Sequence, residues 1–171
     1  MKNEGKNYKL QKNENDITLS RRDEVKIITI ALTQKTQRSI DILSTNLDSG
    51  IYDNTDFIDA VKNLSIISKF TRIRILIKDS DSIIKNSHRM IPVIQQLTSS
   101  IEVRCISEEY KNHNTCFALF DKRGVVYLNH ADRYDGFANF DRPRLALELT
   151  NYFDEIWEHS VPDINLRRLT I

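Results

Sequence analysis

The residues 113–132, HNTCFALFDKRGVVYLNHAD, open on a histidine and an asparagine and close on a histidine and an aspartate. His113, Asn114, His130, Asp132 and the following Arg133 offer acid–base groups and anion donors at the two outer ends of a hairpin pattern. Upstream, His88 and Arg89 form a pair of donors that could clasp a phosphate, and Glu109 is a carboxylate in the connection before the hairpin. Phosphoryl transfer needs more than donors. It requires a nucleophile, and positive charge held in place for the transferred group. No metal is implied, because His88, His113, His130 and His159 share no i, i+3 or i, i+4 spacing and Cys105 and Cys116 form no C-x-x-C pair. No cofactor motif is present.

These residues must be positioned by the surrounding elements. Val25, Ile28, Ala31 and Leu32 recur at helical spacing behind Ser20, which stands three and four residues before Asp23 and Glu24, predicting a helix over about 21–36 capped by Ser20. RSIDILSTN (38–46) reads as a strand that ends in a polar loop, LDSGIYDNT. Phe57, Val61, Leu64 and Ile67 give a second helical face, and TRIRILIKD then alternates, with Ile73, Ile75 and Ile77 inward and Arg72 and Arg74 outward. Pro92 is tolerated only in a first turn, so the third helix starts near Ile91. IEVRCIS is the third strand. DKRG joins two further strands with Gly124 placed for a positive φ, and Asp141 with Pro143 opens a long last helix carrying Leu145, Leu149, Phe153, Ile156 and Trp157 on one face.

Strands separated by helices pair in parallel, and a tight turn makes its strands antiparallel. The expected fold class is therefore α/β: a mixed, mainly parallel sheet with a C-terminal antiparallel hairpin and helices on both faces. In that topology one rim gathers Ser44, Asn46, Asp79, Glu108, Glu109, Tyr110, His113, Asn114, His130, Asp132 and Arg133, beyond the carboxyl ends of the parallel strands where open α/β sheets bind ligands. Within the ADRYDG loop, Asp132 and Asp135 flank Arg133, which predicts a salt bridge inside the loop.

With 171 residues and 40% hydrophobic side chains, the chain suits one domain, expected over 18–171 behind a flexible polar arm at 1–17 with a short strand at ITL. Twenty-five basic against 24 acidic side chains leave a net charge of +1. No global field steers the chain to nucleic acid, and binding of that kind would need a local patch. The first apolar run, VKIITIAL, is too short to span a membrane, and no cleavable leader precedes it. A cytoplasmic location with reduced, buried cysteines is expected.

The strand, D-x-x-G turn, strand, loop and long helix ending FDEIWEHS resemble one half of the phospholipase D superfamily over about 20–160. That resemblance implies a motif H-x-K-x-x-x-x-D whose His attacks phosphorus and whose Lys neutralises a phosphate oxygen. Placing its Asp on Asp121 puts Asn114 at the His position and Cys116 at the Lys position; shifting by one offers His113 but loses both other members to Thr115 and Phe120. The downstream G-S-x-N falls on Leu128 to Ala131, and the look-alike GFAN at 136–139 reads as coincidence or insertion. SIDILSTNLDSGIYD, SHRMIPVIQQLTSSIEVR and FDEIWEHSVPDINLRRL resemble a bacterial domain-of-unknown-function branch with this degenerate motif. The resemblance implies a catalytically inactive domain that serves as a binding or interaction module, with a phosphate-bearing ligand at the strand-end rim. Its alternatives are a phosphodiesterase or nuclease assembled from two copies, and an accessory domain of an acyltransferase system. Because the superfamily packs two halves about a two-fold axis, a homodimer is expected.

Overall fold

The computed structural model of the protein describes residues 13–112, 114–130 and 132–167. Eight strands form one mixed sheet: β1 (Ile17–Leu19), β2 (Ser39–Ser44), β3 (Arg72–Ile77), β4 (Ile101–Cys105), β5 (Cys116–Phe120), β6 (Gly124–Leu128), β7 (Gly136–Asn139) and β8 (Val161–Pro162). Their spatial order is β1-β7-β6-β5-β2-β3-β4-β8. Strands β2, β3 and β4 are parallel, with Ile42 opposite Ile75 and Ile75 opposite Val103. The hairpin joins them antiparallel, with Ile42 opposite Ala118. The mixed α/β class and the inner sheet thus follow the sequence pattern.

Helices α1 (Arg22–Lys35), α2 (Ser49–Tyr52), α3 (Thr55–Ile67), α4 (Asp81–Lys85), α5 (Met90–Gln96), α6 (Pro143–Glu158) and α7 (Ile164–Arg167) complete the chain. One core, with Val25, Leu32, Phe57, Val61, Leu64 and Met90, lies between the sheet and α1, α3 and α5. The other packs Leu145, Leu149, Phe153 and Trp157 of α6 on Leu43, Leu76, Phe117, Leu119 and Tyr127. Each such side chain, fully buried, contributes roughly 1.5–3 kcal/mol. With both faces covered, β3 cannot keep a polar side. Arg74 therefore lies beneath α6 rather than facing outward, its guanidinium 2.8 Å from Asp41 and 2.8 Å from Asp154 and 4.8 Å above the Phe153 ring.

Local signals depart from the sequence reading at several points. Helix α1 takes Arg21 as its N-cap residue, and the Glu24 carboxylate accepts from both Ser20 and Arg21 amides, so the acid rather than Ser20 closes that end. The side chain of Asp141 pairs with Arg123 instead of capping α6, which starts at Pro143 behind Arg142. At the hairpin the positive φ angles belong to Asp121 (53°) and Lys122 (56°), not Gly124. The Arg123 amide donates to Phe120 O at 3.0 Å, which closes a β-turn of type I′ character inside the three-residue connection between paired Phe120 and Gly124. Gly124 is small for another reason: a Cβ there would lie 2.9 Å from Leu32 Cδ2, where α1 crosses the sheet.

GFAN forms β7, and it lets ITL pair as β1 on its far side. A Cβ on Gly136 would fall 1.9 Å from Tyr127 O, so the β6–β7 approach requires glycine. Beyond α6 the chain adds β8 against β4 and then α7, whose Leu166 is fully buried. Pro92 sits in the first turn of α5, as its missing N–H demands.

Candidate functional site

The carboxyl ends of β2, β3 and β4, the start of β5 and the end of β6 share one edge of the sheet, so the topology assembles the rim that the sequence pattern predicts. At its centre Cys116 opens β5, and Asn114 stands two residues before it, outside the strand and exposed. Cys116 packs toward the core of α1 and α3. Burial pushes its thiol pKa up, partly offset by hydrogen bonding from Thr45 and by the nearby charge of Lys78. The charge of Lys78, directly after β3, acts on this thiol, and burial lowers the lysine's own pKa. The end of the second parallel strand thus supplies a cation to this part of the rim.

The hollow beside Cys116 is small. It encloses about 30 Å³, room for one water, between Thr45, Asp48, Tyr52, Leu128 and Tyr134. Tyr52 is buried there with its phenol pKa pushed up by desolvation. Tyr134 closes the top: its hydroxyl donates to Asp48 Oδ2 at 2.6 Å and accepts from Arg22 Nε at 2.8 Å. Asp48 is itself fixed as the N-cap of α2, accepting from the Gly50 amide at 2.8 Å. Arg22 reaches Tyr134 by lying against Gly50, where a Cβ would be 2.3 Å from Arg22 Cδ.

The candidate residues occupy separate places around this centre. His88 is buried, and both ring nitrogens are engaged: the Met90 amide donates to Nδ1 at 3.1 Å, so Nε2–H donates to Leu47 O at 3.1 Å. It pins the turn after β2, in which Leu47 holds a φ of 50°. Burial lowers its pKa, and the Arg89 charge adds to that, against Asp53, Asp48 and the Leu47 carbonyl. Arg89 is committed to Asp53, with Nε 2.7 Å from Oδ1 and a second bond to Asp53 O. Glu109 is exposed; burial raises the Tyr110 pKa and the hydrogen bond to Glu155 O raises that of His159, and the Glu109 charge adds to both.

Asn114, His130, Asp132 and Arg133 are exposed, and His113 lies outside the described residues. No salt bridge forms within the 129–135 loop among the described residues. The loop is held instead by Tyr134 on Asp48 and by Asn129 Nδ2 on Asp135. Asp121 lies at the opposite edge of the sheet, where its carboxylate accepts from the amides of Gln37, Arg38 and Ser39 at 2.8–3.0 Å. Sequence reasoning missed Asp48 and Lys78, and it weighed Tyr134 with Arg133 as an anion grip where the hydroxyl instead bridges Asp48 and Arg22. Only the placement of Asp48 and Lys78 just beyond predicted strands pointed toward the rim.

Neither cysteine is bridged. Among the described residues no cluster of three or more His, Cys, Asp or Glu could hold a metal, and no helix is long and apolar enough to cross a membrane.

Residues 21–169 match the family described as "Domain of unknown function (DUF7931)". No curated protein matches the chain. Among solved structures, the archaeal chromatin protein TrmBL2, whose structure is described as showing a novel mode of DNA binding, superposes with a TM-score of 0.64 at 14% identity, over 88% of this chain and 54% of that one. NucT from Helicobacter pylori gives 0.62 at 16% identity, over 86% and 97%. Nuc from Salmonella typhimurium, a phospholipase D family member, gives 0.56 at 14% identity, over 90% and 99%. At these identities the likeness is one of fold, and the fold is phospholipase D-like.

Proposed function

We propose that this chain, which belongs to the DUF7931 family, is a catalytically inactive phospholipase D-like domain that acts as a binding or interaction module. The observation that carries this reading is the strand-end hollow of about 30 Å³. A phosphodiester has no room there while Tyr134 bridges Asp48 and Arg22, and the thiol of Cys116 supplies no cation where the superfamily motif has its lysine. Asn114, two residues earlier, has no nucleophilic nitrogen. The exposed donors Asn114, His130 and Arg133 leave the outer rim able to hold a phosphate-bearing ligand without transforming it, away from the closed hollow.

A phosphodiesterase reading, with two copies each supplying half a site, is favoured by one observation: the superposition covers 97–99% of the NucT and Nuc chains, so proteins of this size form complete chains of the fold. A phosphodiester reporter separates the two readings. Purified wild type and His113→Ala are both expected to show no turnover. Wild-type turnover that disappears in His113→Ala would make His113 the nucleophile and overturn the inactive reading.

A further inference from the structure

The edge opposite the rim carries an open groove. Asp121 N donates to Ser39 O and Arg72 N donates to Arg38 O, so the β5–β6 turn, the start of β2 and the start of β3 stand side by side there. Lys122, Arg38 and Phe70 project from these three neighbouring chain segments, and the groove they line has a volume of about 550 Å³. It continues past Arg38 and Phe70 to Ile67. Phe70 is 73% exposed and Ile67 61%, an unusual exposure for an aromatic and an aliphatic side chain on one hollow.

The charges of the groove are unequal in their commitments. Asp121 is saturated by three amides, and Asp41 and Asp154 are taken by Arg74. The Arg72 guanidinium donates to the carbonyls of Lys69, Thr71 and Ser99, with no carboxylate partner among the described residues. Arg38 and Lys122 have no ion-pair partner among the described residues, and Lys69 lies 5.2 Å over the Phe70 ring. An apolar wall is thus bordered by cations whose charge is not answered among the described residues.

We propose that this groove binds a protein segment that places a large apolar side chain against Phe70 and Ile67 and a carboxylate at Arg38 and Lys122. The proposal rests on the interaction-module reading and names the surface and the partner chemistry for it. A nucleic-acid strand fits less well, because the groove offers few uncommitted cations to a ligand that brings a charge with every nucleotide, and it leaves Ile67 without a partner. A peptide with one carboxylate matches those cations, and its apolar anchor uses the wall.

The test selects from a displayed library of random twelve-residue peptides on the whole protein, then titrates the best synthetic peptide and a dT12 oligonucleotide by fluorescence anisotropy against wild type, Phe70→Ala, Arg38→Glu and the distant Lys85→Glu. Selected peptides are expected to carry Asp or Glu within two residues of a large apolar residue, and to bind Phe70→Ala and Arg38→Glu at least tenfold more weakly but Lys85→Glu as well as wild type. Both test positions are exposed, so circular dichroism should show all variants folded. Failure to select a peptide, peptides without that pairing, binding indifferent to both variants, Arg38-dependent dT12 binding in place of peptide binding, or self-association lost in Phe70→Ala would each overturn the proposal. Hydrolysis of the phosphodiester reporter would overturn the inactive reading alone and leave these outcomes to stand by themselves.

Discussion

His88 shows how much a residue's meaning depends on what its two nitrogens touch. In the sequence it stands beside Arg89 as an anion clasp; in the fold Nδ1 accepts from Met90 N and Nε2–H donates to Leu47 O, a neutral tautomer that spends both functions on the backbone. Protonation would set a second N–H against the Met90 amide, in a site that burial already makes unfavourable to charge. The folded-state pKa therefore lies below the ordinary value of 6.5, and the unfolded chain binds the proton first as pH falls. The stabilisation from neutral His88 is complete above about pH 6.5 and declines as pH drops from there through the folded-state pKa. His159 has the opposite sign, since its Nδ1 on Glu155 O and the charges of Glu109, Glu155 and Glu158 raise its pKa. Nitrogen-15 NMR titration should find His88 titrating below 6.5 and His159 above it. A His88 that titrates at or above 6.5 would mean that its ring is not held as described.

At the scale of elements, Asp121 stands apart from the rim residues Asn114 and Cys116. It sits across the sheet from the rim, so its chemistry is independent of theirs: it ties the hairpin turn to the start of β2 through three amides and occupies the first positive-φ position of the turn. Aspartate tolerates that conformation better than most side chains. Asp121→Ala loses a charged acceptor for all three amides, and urea unfolding should show a loss of about 1.5–3 kcal/mol with circular dichroism of the native state unchanged. A loss below about 0.5 kcal/mol would show that water replaces the carboxylate at no cost. The same elements show what was legible beforehand. Alternating Ile73, Ile75 and Ile77 and the α6 face of Leu145, Leu149 and Phe153 announced themselves because burial follows period. Strands β7 and β8 did not, because four and two residues carry too little period to read, and their pairing depends on neighbours fixed far away in the chain. The partners of Tyr134 were equally hidden, since Arg22 and Asp48 lie 112 and 86 residues away.

For the whole molecule the open matter is association. The superfamily resemblance implies halves that pair about a two-fold axis, and this chain matches NucT and Nuc over nearly their full lengths, as a single half would. Beyond the groove at Phe70 and Ile67, the surface exposes Leu147 on α6 (59%), Val161 on β8 (63%) and Ile164 on α7 (65%), apolar area that a twin could cover. A homodimer is therefore expected, and it must leave the groove free if a peptide is to enter there. Light scattering at tens of micromolar should report twice the 20.0 kDa chain mass for wild type and the same value for Phe70→Ala. A monomer would remove the two-copy phosphodiesterase reading together with the dimer, because a half-site without its twin has no second half to supply. A dimer that Phe70→Ala dissolves would instead assign the groove to the second copy, leaving the outer rim as the surface to search for an external partner.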